Sequence, residues 1–203
     1  MLKIYTLVAF SASAALLAGC SNNSSDDGTT TTQNYTSFAE IQPDAATMQS
    51  TYTDPNGTLL MWITRATEAQ IPDTGGATYK GFVNLPLSDG DLIGELAMVA
   101  SFSAAAGSID SSATGFFHEN NGAYTGTLTG TGALVQDAPP GVPQVSTALD
   151  GPLSNGGTDY TTSLALAGDI VANGADPYGA VAGTADGNVG TDVFLGGVFA
   201  AER

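Results

Sequence analysis

Tyr124-Thr125-Gly126-Thr127-Leu128-Thr129-Gly130-Thr131-Gly132-Ala133-Leu134 is the stretch that decides the fold. Its period is two. Thr125, Thr127, Thr129 and Thr131 point one way; Tyr124, Gly126, Leu128, Gly130, Gly132 and Leu134 point the other. A helix would scatter both sets around its circumference, whereas a strand separates them.

The same alternation extends outward on both sides. Residues 77–87 place Tyr79, Gly81, Val83, Leu85 and Leu87 on one face and Thr78, Lys80 and Asn84 on the other. Residues 92–102 align Leu96, Met98, Ala100 and Phe102, and residues 108–117 align Ile109, Ala113, Gly115 and Phe117. Further strands are expected at 58–66 (with Trp62), 146–153 (a short edge strand), 159–171, 178–186 and 192–200. Ser88-Asp89-Gly90-Asp91, Ala106-Gly107, Asn120-Asn121-Gly122 and Gly187-Asn188-Val189-Gly190 read as turns between them, and 138–143, rich in proline, as a loop. Upstream, Asp54-Pro55-Asn56-Gly57 is a strong turn signal, and a short helix fits 38–48 despite Pro43.

Eight or nine sequential strands joined by hairpin turns predict an all-β fold, a small antiparallel up-and-down β-barrel of about eight strands. Glycine on the inward side relieves crowding in a tightly coiled sheet, and closure removes exposed edges. A two-sheet sandwich is the structural alternative.

Composition limits function. The chain has 203 residues, 20 acidic and 4 basic, for a formal net charge of −16. Such a surface repels phosphate backbones, so no nucleic acid is expected as a partner. Solubility is the simpler account of the charge, and a basic partner such as a cationic protein is the alternative.

The N-terminus has a different character. Lys3 precedes an apolar run from Ile4 to Leu17, and Leu17-Ala18-Gly19-Cys20 follows. A basic start, an apolar centre and small residues make a secretory signal over 1–19. Cys20 is the only cysteine, so it has no disulfide partner within the chain. The run resembles the lipidation box of bacterial lipoproteins. That resemblance implies cleavage before Cys20, which becomes the mature N-terminus and carries several acyl chains such as palmitate, and a membrane partner reached through them. Ser21 is non-acidic, which in such lipoproteins goes with the outer membrane. Residues 20–34 read as a lipidated tether, too polar to bury surface, whose fourteen residues after the cysteine reach roughly 45 Å. Residues 35–56 are a lead-in and 57–203 the barrel.

Candidate chemistry is sparse. His118 is the only histidine and sits beside the polar turn Glu119-Asn120-Asn121, where it reads as solvated. A nucleophilic triad or a histidine-rich metal site lacks partners, and a lone haem ligand is a weak alternative. Gly187 to Phe194 partly matches a calcium-binding repeat, but one copy cannot complete a coordination shell. Asp89 and Asp91 are turn residues before they are calcium ligands. No catalytic residue, metal or cofactor is expected, and no ligand-binding residue is singled out.

Thr78-Tyr79-Lys80-Gly81, then Ala100-Ser101-Phe102, Ala106-Gly107-Ser108-Ile109 and Thr114-Gly115-Phe116-Phe117, resemble the strand-and-turn pattern of transferrin-binding protein B barrels. The closing runs Tyr178-Gly179-Ala180-Val181-Ala182-Gly183 and Phe194-Leu195-Gly196-Gly197-Val198-Phe199 are similar to that family's final hairpin. The resemblance covers residues 58–203 and includes the lipidation box. It departs where the family has Phe-Tyr-Gly-Pro, and nothing here matches its transferrin contacts. It implies a non-catalytic, surface-exposed binding module for a host or environmental protein or a small ligand. A periplasm-facing structural lipoprotein is the alternative. A small membrane-spanning barrel is less favoured, because the aromatics form no paired girdles and Arg203 stands where such barrels carry an aromatic.

Overall fold

The computed structural model describes residues 34–203 except 105 and 143; the signal segment, Cys20 and nearly all of the tether lie outside them. Helix α1 (Phe38–Tyr52) and a 3-10 turn (Glu68–Gln70) precede nine strands: β1 (Thr74–Leu87), β2 (Gly90–Ser103), β3 (Gly107–His118), β4 (Gly122–Gly126), β5 (Leu128–Leu134), β6 (Val145–Asn155), β7 (Thr158–Asn173), β8 (Asp176–Val189) and β9 (Asp192–Glu202).

Strands β4 and β5 are two halves of one bent strand, since each pairs with both β3 and β6. Counted together they make eight. Each strand pairs antiparallel with the next, and β9 returns antiparallel to β1 through Lys80↔Glu202 to Asn84↔Val198. An even strand count lets a meander close with its first and last strands antiparallel. The result is the expected up-and-down barrel rather than a sandwich. Strand β6, expected at an edge, is paired on both sides.

The inward faces form one continuous apolar core that includes Tyr79, Leu96, Met98, Phe116, Leu128, Leu149, Leu166, Ile170 and Phe199. The barrel is filled by its own side chains, as small barrels are. Outward positions carry Thr78, Lys80, Asp110, Thr129, Thr131, Ser146, Asp150 and Thr161, all exposed.

Two bulges decide which side chains turn in. On β3 the register against β2 shifts between Ile93 and Glu95, with Gly115 at φ +59°. One extra residue reverses the side-chain parity. Phe116 and His118 therefore turn inward, and Phe117, expected in line with Ile109, turns outward. The Phe116 ring lies where a Cβ on Gly94 would be, so only glycine fits opposite it. On β9 the shift falls beside Leu195 and Gly196, the latter at φ +79°; Phe194 and Phe199 both face in.

The lead-in wraps the outside. Ile41 and Ala45 of α1 bury against Phe82, Ile93 and Phe117, and Tyr52 against Val171, Ala180, Ala182 and Ala200. The turn at Asp54 forms as expected: its Oδ1 accepts from the N–H groups of Asn56 and Thr58, both at 2.9 Å. Residues 58–66, expected as a strand, form none. The ring is complete without them, and they run as a strap whose Leu59 and Ile63 pack on the barrel wall. The strap is pinned by the isolated bridges Thr53↔Leu59 and Arg65↔Val171.

Ala66, at the end of the strap, and Ile71 beyond it enter the core and plug one end. Buried Gln144 fastens this plug: its Nε2 donates to the carbonyls of Ala66 and Gln136, both at 3.0 Å, and its Oε1 accepts from the Ile170 N–H at 3.2 Å.

Candidate functional site

His118 ends β3 just past the bulge, so its ring is buried rather than solvated. Its Nδ1 accepts from the backbone N–H groups of Asn120 (3.0 Å) and Asn121 (3.1 Å). An acceptor nitrogen carries no proton, so the proton sits on Nε2, which donates to Asp89 Oδ1 at 2.9 Å. The Asn121 amide donates to Asp89 Oδ2 at 2.8 Å. That bond first, and the neighbouring histidine second, hold the Asp89 carboxyl below its ordinary range. Both ring nitrogens are spent. This histidine ties the β1–β2 turn to the β3–β4 turn and has no lone pair left for haem iron or for proton transfer.

The acidic turns are engaged in the same way. Asp192 Oδ2 accepts from the N–H (2.9 Å) and hydroxyl (2.8 Å) of Ser88, joining the β8–β9 turn to the β1–β2 turn. Asp89 faces His118, while Asp91 accepts from Asn84 Nδ2 at 3.3 Å. The two aspartates thus serve different partners. Among the described residues, no group of three or more His, Cys, Asp or Glu side chains converges on a metal-sized point.

A crevice with a mixed polar and apolar lining lies beneath α1. It holds about 380 Å³ between the C-terminal half of α1 and the outer faces of β1, β2 and β9, and Gln49, Ser50, Thr53, Asp54, Asn84 and Asp91 line it. The β9 bulge creates it. The β1–β9 ladder stops at Asn84↔Val198, whereas the β1–β2 ladder continues to Leu87↔Gly90. Beyond Asn84 the first and last strands part under the helix.

The donors around this crevice are largely committed inward. Gln49 Nε2 donates to the Val198 carbonyl (3.2 Å), Ser50 Oγ to the Thr47 carbonyl (3.1 Å) and Thr53 Oγ1 to the Gln49 carbonyl (3.1 Å). Asp54 and Asp91 bring carboxylates, and no lysine or arginine lines the space. The surface left to a ligand is mostly apolar, from Ala46, Pro55, Pro86 and Val198, with two carboxylates and no cation beside it, so it suits a largely apolar molecule that brings a hydrogen-bond donor or positive charge. Sequence reading missed this site. Its residues are scattered over α1, β1, β2 and β9, and only the bulge at Gly196 brings a gap between them.

Cys20 lies outside the described residues. No known family, curated protein or solved structure matches the chain.

Proposed function

We propose that this chain is a lipid-anchored, non-catalytic binding module of a bacterial envelope. Acyl chains on Cys20 hold it at the outer membrane, and the barrel presents a recognition surface to a protein or small ligand. The observation that carries the binding role is the crevice under α1. It is a mostly apolar space, with Asp54 and Asp91 beside it, where the closing strands part beyond Asn84 and Val198.

The distribution of side chains supports a barrel bathed in water. Its interior is apolar and its outer wall carries threonines, serines and charges, the inverse of the apolar band that faces lipid in a spanning barrel. The glycine-rich β8–β9 hairpin, which completes the ring, lies where the resemblance to transferrin-binding protein B barrels is drawn.

The test has two arms. Palmitate labelling that depends on Cys20, lost in Cys20→Ser, supports the anchor; labelling that persists in that variant rejects it. Protease shaving of intact cells then separates a surface-facing module, which is cleaved, from the periplasm-facing alternative, which is protected. For the binding role, Ser50→Trp fills the crevice. A partner captured equally by this variant and the natural chain does not use the site.

A further inference from the structure

We propose that the tip of the strap, Met61-Trp62, is a second membrane contact that inserts into the lipid interface beside the acyl anchor. The inference rests on the lipid-anchor reading of Cys20. Met61 is 93% exposed and Trp62 70% exposed, next to each other on one turn. No charged residue occurs between Asp54 and Arg65, in a chain of net charge −16. The exposure does not come from a loose loop. Leu59 and Ile63 pack on the barrel on either side of the tip, the Leu60 N–H donates to the Tyr52 carbonyl (2.9 Å), and the Ile63 N–H donates to the Leu60 carbonyl (2.8 Å). Arg65 is held by Asp169 at 3.2 Å and by the Val142 carbonyl at 2.9 Å.

Magnitudes favour lipid over protein. A stable protein interface buries about 800 Å² on each partner, far more than two side chains on a convex turn supply. Membrane insertion needs only such a tip, since tryptophan prefers the interfacial zone. Burying Met and Trp contributes about 1.5–3 kcal/mol each, too little to hold a free protein at a bilayer. An anchored domain needs no more, because the second contact is then intramolecular. The geometry permits both contacts at once. Chain leaving Tyr35 starts at one end of α1 and the strap starts at the other, about 22 Å apart for a 15-residue helix. The fourteen residues from Ser21 to Asn34 reach roughly 45 Å, more than that separation.

Trp62 is the only tryptophan, so intrinsic fluorescence reads the tip directly. Full-length acylated protein is reconstituted into phosphatidylcholine vesicles, neutral because the acidic surface repels anionic headgroups. Emission is expected to shift to the blue, and bromine on the lipid chains to quench it by about half, as for an indole about 5–10 Å into the boundary. Met61→Ser is expected to weaken the quenching with unchanged circular dichroism. Unaltered emission in a sample whose mass shows the acyl chains overturns the proposal and leaves the anchor reading standing. If the mass shows residue 20 bare, the anchor reading fails. The tip proposal, which rests on that anchor, falls with it. A blue shift that depends on protein concentration without lipid assigns the tip to a second copy and also overturns the proposal.

Discussion

The Tyr52 hydroxyl donates a 2.7 Å hydrogen bond to Glu202 Oε1, joining the last turn of α1 to the last strand across 150 residues of sequence. The phenol is otherwise buried among Val171, Ala180, Ala182 and Ala200. Tyr52→Phe keeps the packing and removes the donor. It is expected to cost about 1.5 kcal/mol in urea unfolding at neutral pH, the scale of a hydrogen bond to a charged acceptor.

The same contact sets an alkaline dependence. Burial first, and then the bond to Glu202, push the Tyr52 phenol above its ordinary value. A raised phenol favours the neutral form in the fold. Its contribution is therefore complete below the ordinary tyrosine pKa of about 10 and is lost as pH rises beyond it. The stability gap between the natural chain and Tyr52→Phe is expected to narrow on the alkaline side of that value. A gap that stays constant there refutes the assignment.

At His118 the expectation concerns both stability and tautomer. His118→Ala leaves two turn N–H groups without their acceptor and opens a cavity beside Tyr124, for a loss of about 3 kcal/mol. Nitrogen NMR of the natural protein should find the proton on Nε2 and not on Nδ1. Because Asp89 is held below the ordinary carboxylate range, its contribution is present above that range and fades as pH falls through its own lower value. Asp89 is 59% exposed, so the effect is small and weakens with salt.

Gln144→Leu should loosen the plug without emptying the barrel. It strands the Ile170 N–H and the carbonyls of Ala66 and Gln136, at about 3 kcal/mol in all. Limited proteolysis should then cut near residues 66–72 well before it cuts any strand.

Thr147→Val is expected to run the other way. Thr147 faces the core from β6, and its hydroxyl has no partner among the described residues. Replacing it with a methyl of similar shape removes an unsatisfied buried group and should stabilise the protein by about 1 kcal/mol in denaturant melts. A loss of stability would reveal an unseen partner, such as a buried water.

The barrel was legible because its strands alternate. Leu96, Met98, Ala100 and Phe102 turned inward as a set, and so did Leu164, Leu166 and Ile170. The reading failed where backbone geometry overrides alternation. Gly115 and Gly196 look like any other strand glycine in sequence, yet each sits in a bulge that reverses the inside and outside of the residues beyond it. That is why Phe117 breaks the alternation and faces α1, and why His118 is buried although it borders a polar turn. Residues 58–66 carry strand-like composition and became a strap because an eight-strand ring had no place for a ninth. The crevice was illegible for a related reason, since no local pattern reports where two strands stop pairing when their last partners, Asn84 and Val198, lie 114 residues apart.

The ladder between β1 and β9 has only five rungs, and α1 lies across it, held by Gln49 on Val198 and Tyr52 on Glu202. During synthesis β9 leaves the ribosome after every strand it completes, so the cylinder stays an open gutter until β9 has emerged. A chain released short of Val198 would expose the unpaired flanks of β1 and β8, and neighbouring copies would be the nearest strands to zip onto them.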